Sequence, residues 1–195
     1  MDFGNLKMYI GGKLLDSQDK STKKIICPAN ESVIANIAWA SSVDSELALD
    51  AAQVGFKNWS SFTLEKRTDW ISKLRDAVLK NEEILRTAIM FEMGKTYEAS
   101  HEDIEALINS LNFYPKAMKT HFQNINIDDE ENTHTHSIVY SPIGVAVAYL
   151  AWNFPLLNVA FKIGPALASG CSIIIKPSES SPVSAYILGK ILHDI

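Results

Sequence analysis

Two short polar clusters interrupt the apolar stretch AYLAWNFPLLNVAFKIGPALASGCSIIIKPSES, residues 148–180. The first is Trp152-Asn153. The second is Lys176-Pro177-Ser178-Glu179. A lysine offers only donors and a glutamate only acceptors, a combination suited to a diol such as a ribose. An asparagine amide is a neutral donor, suited to an oxygen on which negative charge develops. The plain alternative is a pair of solvated loops that only turn the chain.

The elements around the clusters decide whether they meet. From Ile143, the run IGVAVAYLA reads as a parallel strand covered on both faces. Residues 156–169 suit a helix despite Pro165, and Gly170 suits its end. SIIIK is a second buried strand, rich in β-branched residues. Ser181 and Pro182 read as N-cap and N1 of a last helix. The result is a strand–helix–strand–helix unit with parallel strands and a right-handed crossover. Both clusters then leave the sheet at the same rim, where open α/β sheets bind ligands.

Upstream, KMYIGGKLL reads as a hairpin turning at Gly11-Gly12. KKIICPANESVIANIAWAS gives two more strands around a Pro-Ala-Asn-Glu-Ser turn. Four helices follow. Ser41 and Asp44 fit a capping box. Ala48, Ala51, Ala52, Gly55, Phe56 and Trp59 then form one helical face. Trp70, Ile71, Leu74, Ala77 and Val78 face inward on the second helix. Asn81 caps a third, with Ile84, Leu85, Ala88 and Ile89 inward. Thr96 caps a fourth, carrying Ile104, Leu107, Ile108, Leu111 and Tyr114, and Pro115 should end or kink it. NINIDDEENTHTHSIVYSP reads as a β-hairpin with an exposed acidic turn at residues 128–131.

Bulk properties narrow the classes. The 195 residues are 47% hydrophobic and 21% charged, ordinary for a globular protein. A net charge of -5 argues against nucleic acid. The apolar run at residues 145–152 is too short to span a bilayer. No basic-then-apolar leader opens the chain, and two cysteines make no disulfide framework, so a cytoplasmic location is expected. Gly94-Lys95-Thr96 lacks the glycine five residues earlier that a phosphate loop needs, because Ile89 stands there. His134 and His136 share a strand face without a third ligand of suitable spacing, so no metal is expected.

The block SPIGVAVAYLAWNFPLLNVAFKIGPALASGCSIIIKPSESSP resembles the signature region of the NAD(P)-dependent aldehyde dehydrogenase superfamily. The shared elements are Pro-x-Gly-Val before the strand, Trp-Asn-Phe-Pro after it, Lys-x-x-Pro-Ala-Leu-Ala on the helix, and Lys-Pro-Ser-Glu after the second strand. Glu92-Met93-Gly94-Lys95 resembles the family's upstream Glu-x-Gly-Lys. The resemblance extends over essentially the whole chain.

It implies an α/β fold, the start of a doubly wound, Rossmann-like NAD-binding sheet. An N-terminal hairpin and helices precede it, and a protruding β-hairpin of oligomerisation type interrupts it. The implied divisions are 1–122, 123–141 and 142–195. Asn153 is the implied catalytic donor to the oxyanion of a thiohemiacetal. Lys176 and Glu179 are implied to hold the adenosine ribose, with Ser178 beside them. Leu150, Ala151, Trp152 and Asn153 line the nicotinamide side. A carboxylate at Glu179 accepts a 2′-hydroxyl and repels a 2′-phosphate, favouring NAD over NADP. The implied partners are an aldehyde substrate and further copies of the chain, as a homodimer or homotetramer, with no nucleic acid or membrane.

The sequence also departs from the family. Ala151 stands where relatives usually have proline, and Cys171 replaces a common asparagine; the latter is expected to be a small buried hydrophobe. Neither Cys27 nor Cys171 sits in a nucleophile motif. The expectation is therefore the N-terminal, cofactor-side part of a dehydrogenase, not catalytic as these 195 residues alone. The alternatives are a non-catalytic nucleotide-binding relative, a succinate-semialdehyde-type or acylating dehydrogenase, and a structural fragment whose loops bind nothing.

Overall fold

A computed structural model describes residues 1–130 and 133–195. The chain begins with short strands β1 (Asn5–Leu6), β2 (Met8–Ile10) and β3 (Lys13–Leu15). β2 and β3 form an antiparallel hairpin whose turn residues, Gly11 and Gly12, take φ 57 and 80. Both central residues of such a turn need positive φ, which glycine adopts without strain. β4 (Thr22–Ile26) and β5 (Val33–Ala38) pair antiparallel, and β1 adds to β5 in parallel, giving the order β1-β5-β4.

Four helices follow: α1 (Ser42–Ser60), α2 (Leu64–Lys80), α3 (Glu82–Met93) and α4 (His101–His121). The capping box at Ser41 and Asp44 is present. Asp44 is buried and also accepts from the Ser17 hydroxyl at 2.7 Å, tying α1 to the segment after β3. The expected α1 face is the covered one, while most of the helix's other positions are exposed. Trp59 Nε1 donates to the Leu167 carbonyl at 2.9 Å.

Local signals were overridden at four points. Trp70 is not inward: it lies at the surface with Lys73 Nζ 4.1 Å from its ring centre, because an indole is also satisfied under a cation. Asn81 stands at the N-cap of α3, but its side chain donates backward to the Ala77 carbonyl, closing α2 instead. Thr96 caps only a turn, through the Ala99 amide, and α4 starts at His101. Pro115 does not end α4; the helix runs on to His121 with Pro115 buried. A proline removes one helical hydrogen bond, and close packing of α4 on α5 offsets that cost.

β6 (Ile125–Asp128) and β7 (Thr135–Ile138) form an antiparallel hairpin whose eight strand residues are all exposed. Asp128 and Glu130 are exposed at its turn, and Asp129 is held by the Thr133 amide and hydroxyl. Glu131, the last of the acidic run, lies outside the described residues. The chain then builds β8 (Val145–Tyr149), α5 (Pro155–Ser169), β9 (Ser172–Lys176) and α6 (Val183–His193). β8 and β9 are parallel, in register from Val145↔Ser172 to Tyr149↔Lys176. The expected cover on both faces is incomplete: Val147 and Tyr149 are 49% and 78% exposed, since α1 and α5 cover only part of a two-stranded sheet.

One apolar core joins these parts. It includes Ile34 and Ile37 of β5, Leu74 and Val78 of α2, Leu85 and Ile89 of α3, Leu107 of α4, Leu156 and Val159 of α5, and Val183 of α6. Each such side chain contributes about 1.5–3 kcal/mol when fully buried. α4 packs closely on α5, where Ser110 Oγ donates to the Ala160 carbonyl and Gly164 faces Ser110 and Tyr114.

Candidate functional site

The parallel register brings the two polar clusters to one rim. Tyr149 and Lys176 are register partners, and the Leu150 amide donates to the Lys176 carbonyl at 3.1 Å. One residue further, the chains part. Trp152-Asn153 turns away toward α5, and Pro177–Glu179 turns away toward α6. Ser181 Oγ bridges the two exits by donating to the Trp152 carbonyl at 2.8 Å. Ser181 is thus not the N-cap of α6, the position taken by Pro182. Its hydroxyl is already committed across the rim.

Lys176 Nζ donates to Glu179 Oε2 at 2.8 Å, and both side chains are about half exposed. The hydrogen bond from Lys176 holds the Glu179 carboxyl below its ordinary range. Glu179 therefore presents a charged carboxylate to solvent at neutral pH, with the Lys176 side chain beside it. Ser178 is buried, and its hydroxyl accepts from the Ser180 amide at 3.2 Å, shaping the loop. Leu150 is buried, while Ala151, Trp152 and Asn153 are exposed. The Ala151 carbonyl accepts from Asn158 Nδ2 at 3.4 Å. The Asn153 amide makes no hydrogen bond among the described residues. It does not cap α5, whose N-cap residue Phe154 has no side-chain cap.

What caps the two helices was not read from the sequence. Asp103, fully buried on α4, accepts from the Leu156 and Leu157 amides at 3.0 Å each. Its other oxygen accepts from Lys95 Nζ at 2.8 Å, and that ammonium lies 3.6 Å from the Phe154 ring centre. Glu92, 3% exposed at the end of α3, accepts from the Val183 amide at 2.5 Å and the Ser184 amide at 3.2 Å. The Ser184 hydroxyl also donates to it, at 2.5 Å. Between these residues Gly94 takes φ 73, the left-handed turn that closes α3. The Glu92-x-Gly94-Lys95 segment is thus a bracket for α5 and α6. The available signal was a glutamate on the inward face of α3 with no partner of its own.

Both cysteines are buried, Cys27 at 3% and Cys171 at 5%, and neither forms a disulfide. Cys171 behaves as the small hydrophobe expected. No group of three or more metal-ligating side chains occurs among the described residues. No described helix is long and apolar enough to cross a membrane. A groove of about 380 Å³ opens beside β1 and β4, lined by Lys7, Asp16 and Lys20 among others, and holds none of the rim residues.

Residues 14–195 match the sequence model of the aldehyde dehydrogenase family. The chain is 32% identical to the mitochondrial succinate-semialdehyde dehydrogenase of Arabidopsis thaliana, covering 90% of this chain and 33% of that protein. It is 31% identical to retinal dehydrogenase 2 of Gallus gallus, over 100% of this chain and 38% of that protein. Among solved structures, betaine aldehyde dehydrogenase of Staphylococcus aureus in complex with NAD+ superposes with a TM-score of 0.90 at 31% identity. The match covers 97% of this chain and 38% of that one. A 3,6-anhydro-L-galactose dehydrogenase in complex with NAP gives a TM-score of 0.90 at 28% identity, covering 97% of this chain and 40% of that one. The chain therefore spans two fifths or less of the length of these relatives.

Proposed function

The chain belongs to the aldehyde dehydrogenase family, and on that premise we propose that it supplies the cofactor side of an enzyme that oxidises an aldehyde to a carboxylic acid with NAD. The observation that carries this reading is the rim itself. Lys176 and Glu179 form an exposed donor–acceptor pair beside the exit of the parallel strand that leads to Asn153. The pair fits a ribose diol: Lys176 would donate to one hydroxyl oxygen and Glu179 would accept from the hydroxyls. When bound, the nicotinamide cofactor supplies the hydride acceptor. Leu150, Ala151 and Trp152 would line its nicotinamide side, and Ser178 would hold the ribose loop in shape.

Asn153 would act on the substrate. Its side-chain amide is exposed and makes no hydrogen bond among the described residues, so Nδ2 can donate to the oxyanion that forms when a thiolate adds to an aldehyde. Neither Cys27 nor Cys171 is placed to be that thiolate, since both are buried. Relatives named for succinate semialdehyde and retinal match at nearly equal identity, 32% and 31%. This supports assigning to this segment what differently named dehydrogenases share. The exposed hairpin β6–β7 is proposed as a contact between copies in a homodimer or homotetramer.

The test is aldehyde-dependent reduction of NAD by the enzyme that carries this segment. Turnover is expected, with Asn153→Ala lowering kcat by roughly a hundredfold or more. No turnover with any aldehyde, or an Asn153→Ala enzyme of undiminished kcat, contradicts the reading. A second reading, nucleotide binding without chemistry by these 195 residues, rests on the burial of both thiols. It expects NAD binding and no turnover.

A further inference from the structure

The Lys176–Glu179 loop is held at two ends. At one end Lys176 is locked into the sheet beside Tyr149 and Leu150. At the other, four residues after Glu179, the first turn of α6 begins at Val183. That turn has no side-chain cap of its own, and its Val183 and Ser184 amides are satisfied by Glu92 from α3. In between, the Ser181 amide donates to the Ser178 carbonyl at 3.3 Å, which makes the loop short and stiff. Movement of the first turn of α6 is therefore movement of Glu179.

We propose that Glu92 is a positioning residue for the cofactor-facing loop, and that its state of ionisation sets where Glu179 stands relative to Lys176. As a carboxylate, Glu92 has only acceptors, and the turn of α6 offers it two amides and a hydroxyl. All three can be held at once. As a neutral acid it carries an O–H, which the Ser184 hydroxyl can accept by reversing its hydrogen bond. The two amide bonds then lose their charge assistance and weaken, and the first turn of α6 relaxes.

The surroundings put this change near neutrality. Burial pushes Glu92 up to about 7; the donors from Ser184 and Val183 pull against that, and the charge of Asp103 on α4 adds to it. Asp103 is itself paired with Lys95, and the facing turn of α6 contributes no charge. The inference rests on the proposed function only for what the loop holds; the link from Glu92 to the loop stands without it.

The experiment is a pH titration of backbone amide signals by NMR in the 195-residue chain, with NAD affinity measured on the same samples. The Val183 and Ser184 amides and those of residues 178–179 are expected to shift together, with one midpoint near 7. Ser184→Ala removes a donor that favours the carboxylate, so the shared midpoint should rise. Glu92→Gln should abolish the transition in both segments. A loop that fails to follow the helix, or a transition that survives Glu92→Gln, overturns the proposal. If Glu92→Gln does not fold, a midpoint unmoved by Ser184→Ala overturns it equally. NAD affinity should fall several-fold below the midpoint, the scale of losing one helix-capping contact. A shared titration in a chain that binds no NAD supports the positioning role and counts instead against NAD binding by these 195 residues alone.

Discussion

Lys176 and Glu179 are bound to each other before any ligand arrives, and that pairing has little energetic cost to rearrange. An ion pair between two half-exposed side chains contributes about 0–1 kcal/mol. A ribose can therefore enter between them without paying for a broken structure. On the proposed function, the charge of Glu179 would set the choice between dinucleotides, because a 2′-phosphate would approach the Glu179 carboxylate, which Lys176 holds below its ordinary range. Glu179→Gln is expected to improve NADP affinity relative to NAD by about tenfold, from removal of a like-charge contact. Paired binding isotherms check this, and an unchanged ratio would place the 2′ position elsewhere. These residues were legible in the sequence because Lys-x-x-Glu follows a strand whose apolar run announces itself. The bracket behind them was not. Glu92 and Asp103 sit on helical faces otherwise read as core, and their partners lie 91 and 53 positions away along the chain.

At the scale of elements, helix contacts obeyed packing more than local stop signals. Hydrophobic periodicity located all four early helices, and the two-glycine turn located the first hairpin. Of the two outcomes expected at Pro115, an end or a kink, the end does not occur, because the burial of α4 against α5 is invisible in a local window. That contact sets a testable contrast. A Cβ at Gly164 would collide with Ser110 Oγ and lie 2.9 Å from a Tyr114 ring carbon. Gly164→Ala is expected to destabilise the fold by about 1–3 kcal/mol through overpacking. At Gly55 the nearest atom, Ser172 Cβ, is 4.0 Å away. Gly55→Ala should instead stabilise by up to about 1 kcal/mol, from helix propensity alone. Denaturant unfolding of the two variants separates them. Equal effects would mean that α4 and α5 are not packed as described.

At the scale of the whole molecule, two buried carboxylates pull stability in opposite directions with pH. The folded value of Glu92 lies above its ordinary one, near 7 against 4.5. Its contribution is complete below the ordinary value and is lost as pH rises through about 7, a change of about 3 kcal/mol. For Asp44, burial alone would raise the value, but hydrogen bonds from Ser41, Ser17 and Gln18 outweigh it and hold the group at about 2. Its contribution is present above its ordinary value and lost as pH falls through about 2. Tm should therefore peak in mildly acidic solution and decline on both sides, and Glu92→Gln should flatten the neutral side. A flat Tm across neutrality in the unaltered chain contradicts this. Near neutral pH the ionised Glu92 costs stability while holding all three donors of α6, so the fold gives up some stability for a fixed loop. The parallel unit and its rim were legible in the sequence because apolar runs, glycine and β-branched residues all agree there. The incomplete cover of β8 was not legible, because a continuous apolar run fits a strand covered on both faces equally well. The central claim is that this rim binds a nicotinamide dinucleotide through Lys176. The most direct test is calorimetric titration of NAD into the unaltered chain and into Lys176→Ala. The account expects saturable binding that weakens about tenfold or more in the variant. Equal affinity in the two proteins, or no binding to either, would contradict it.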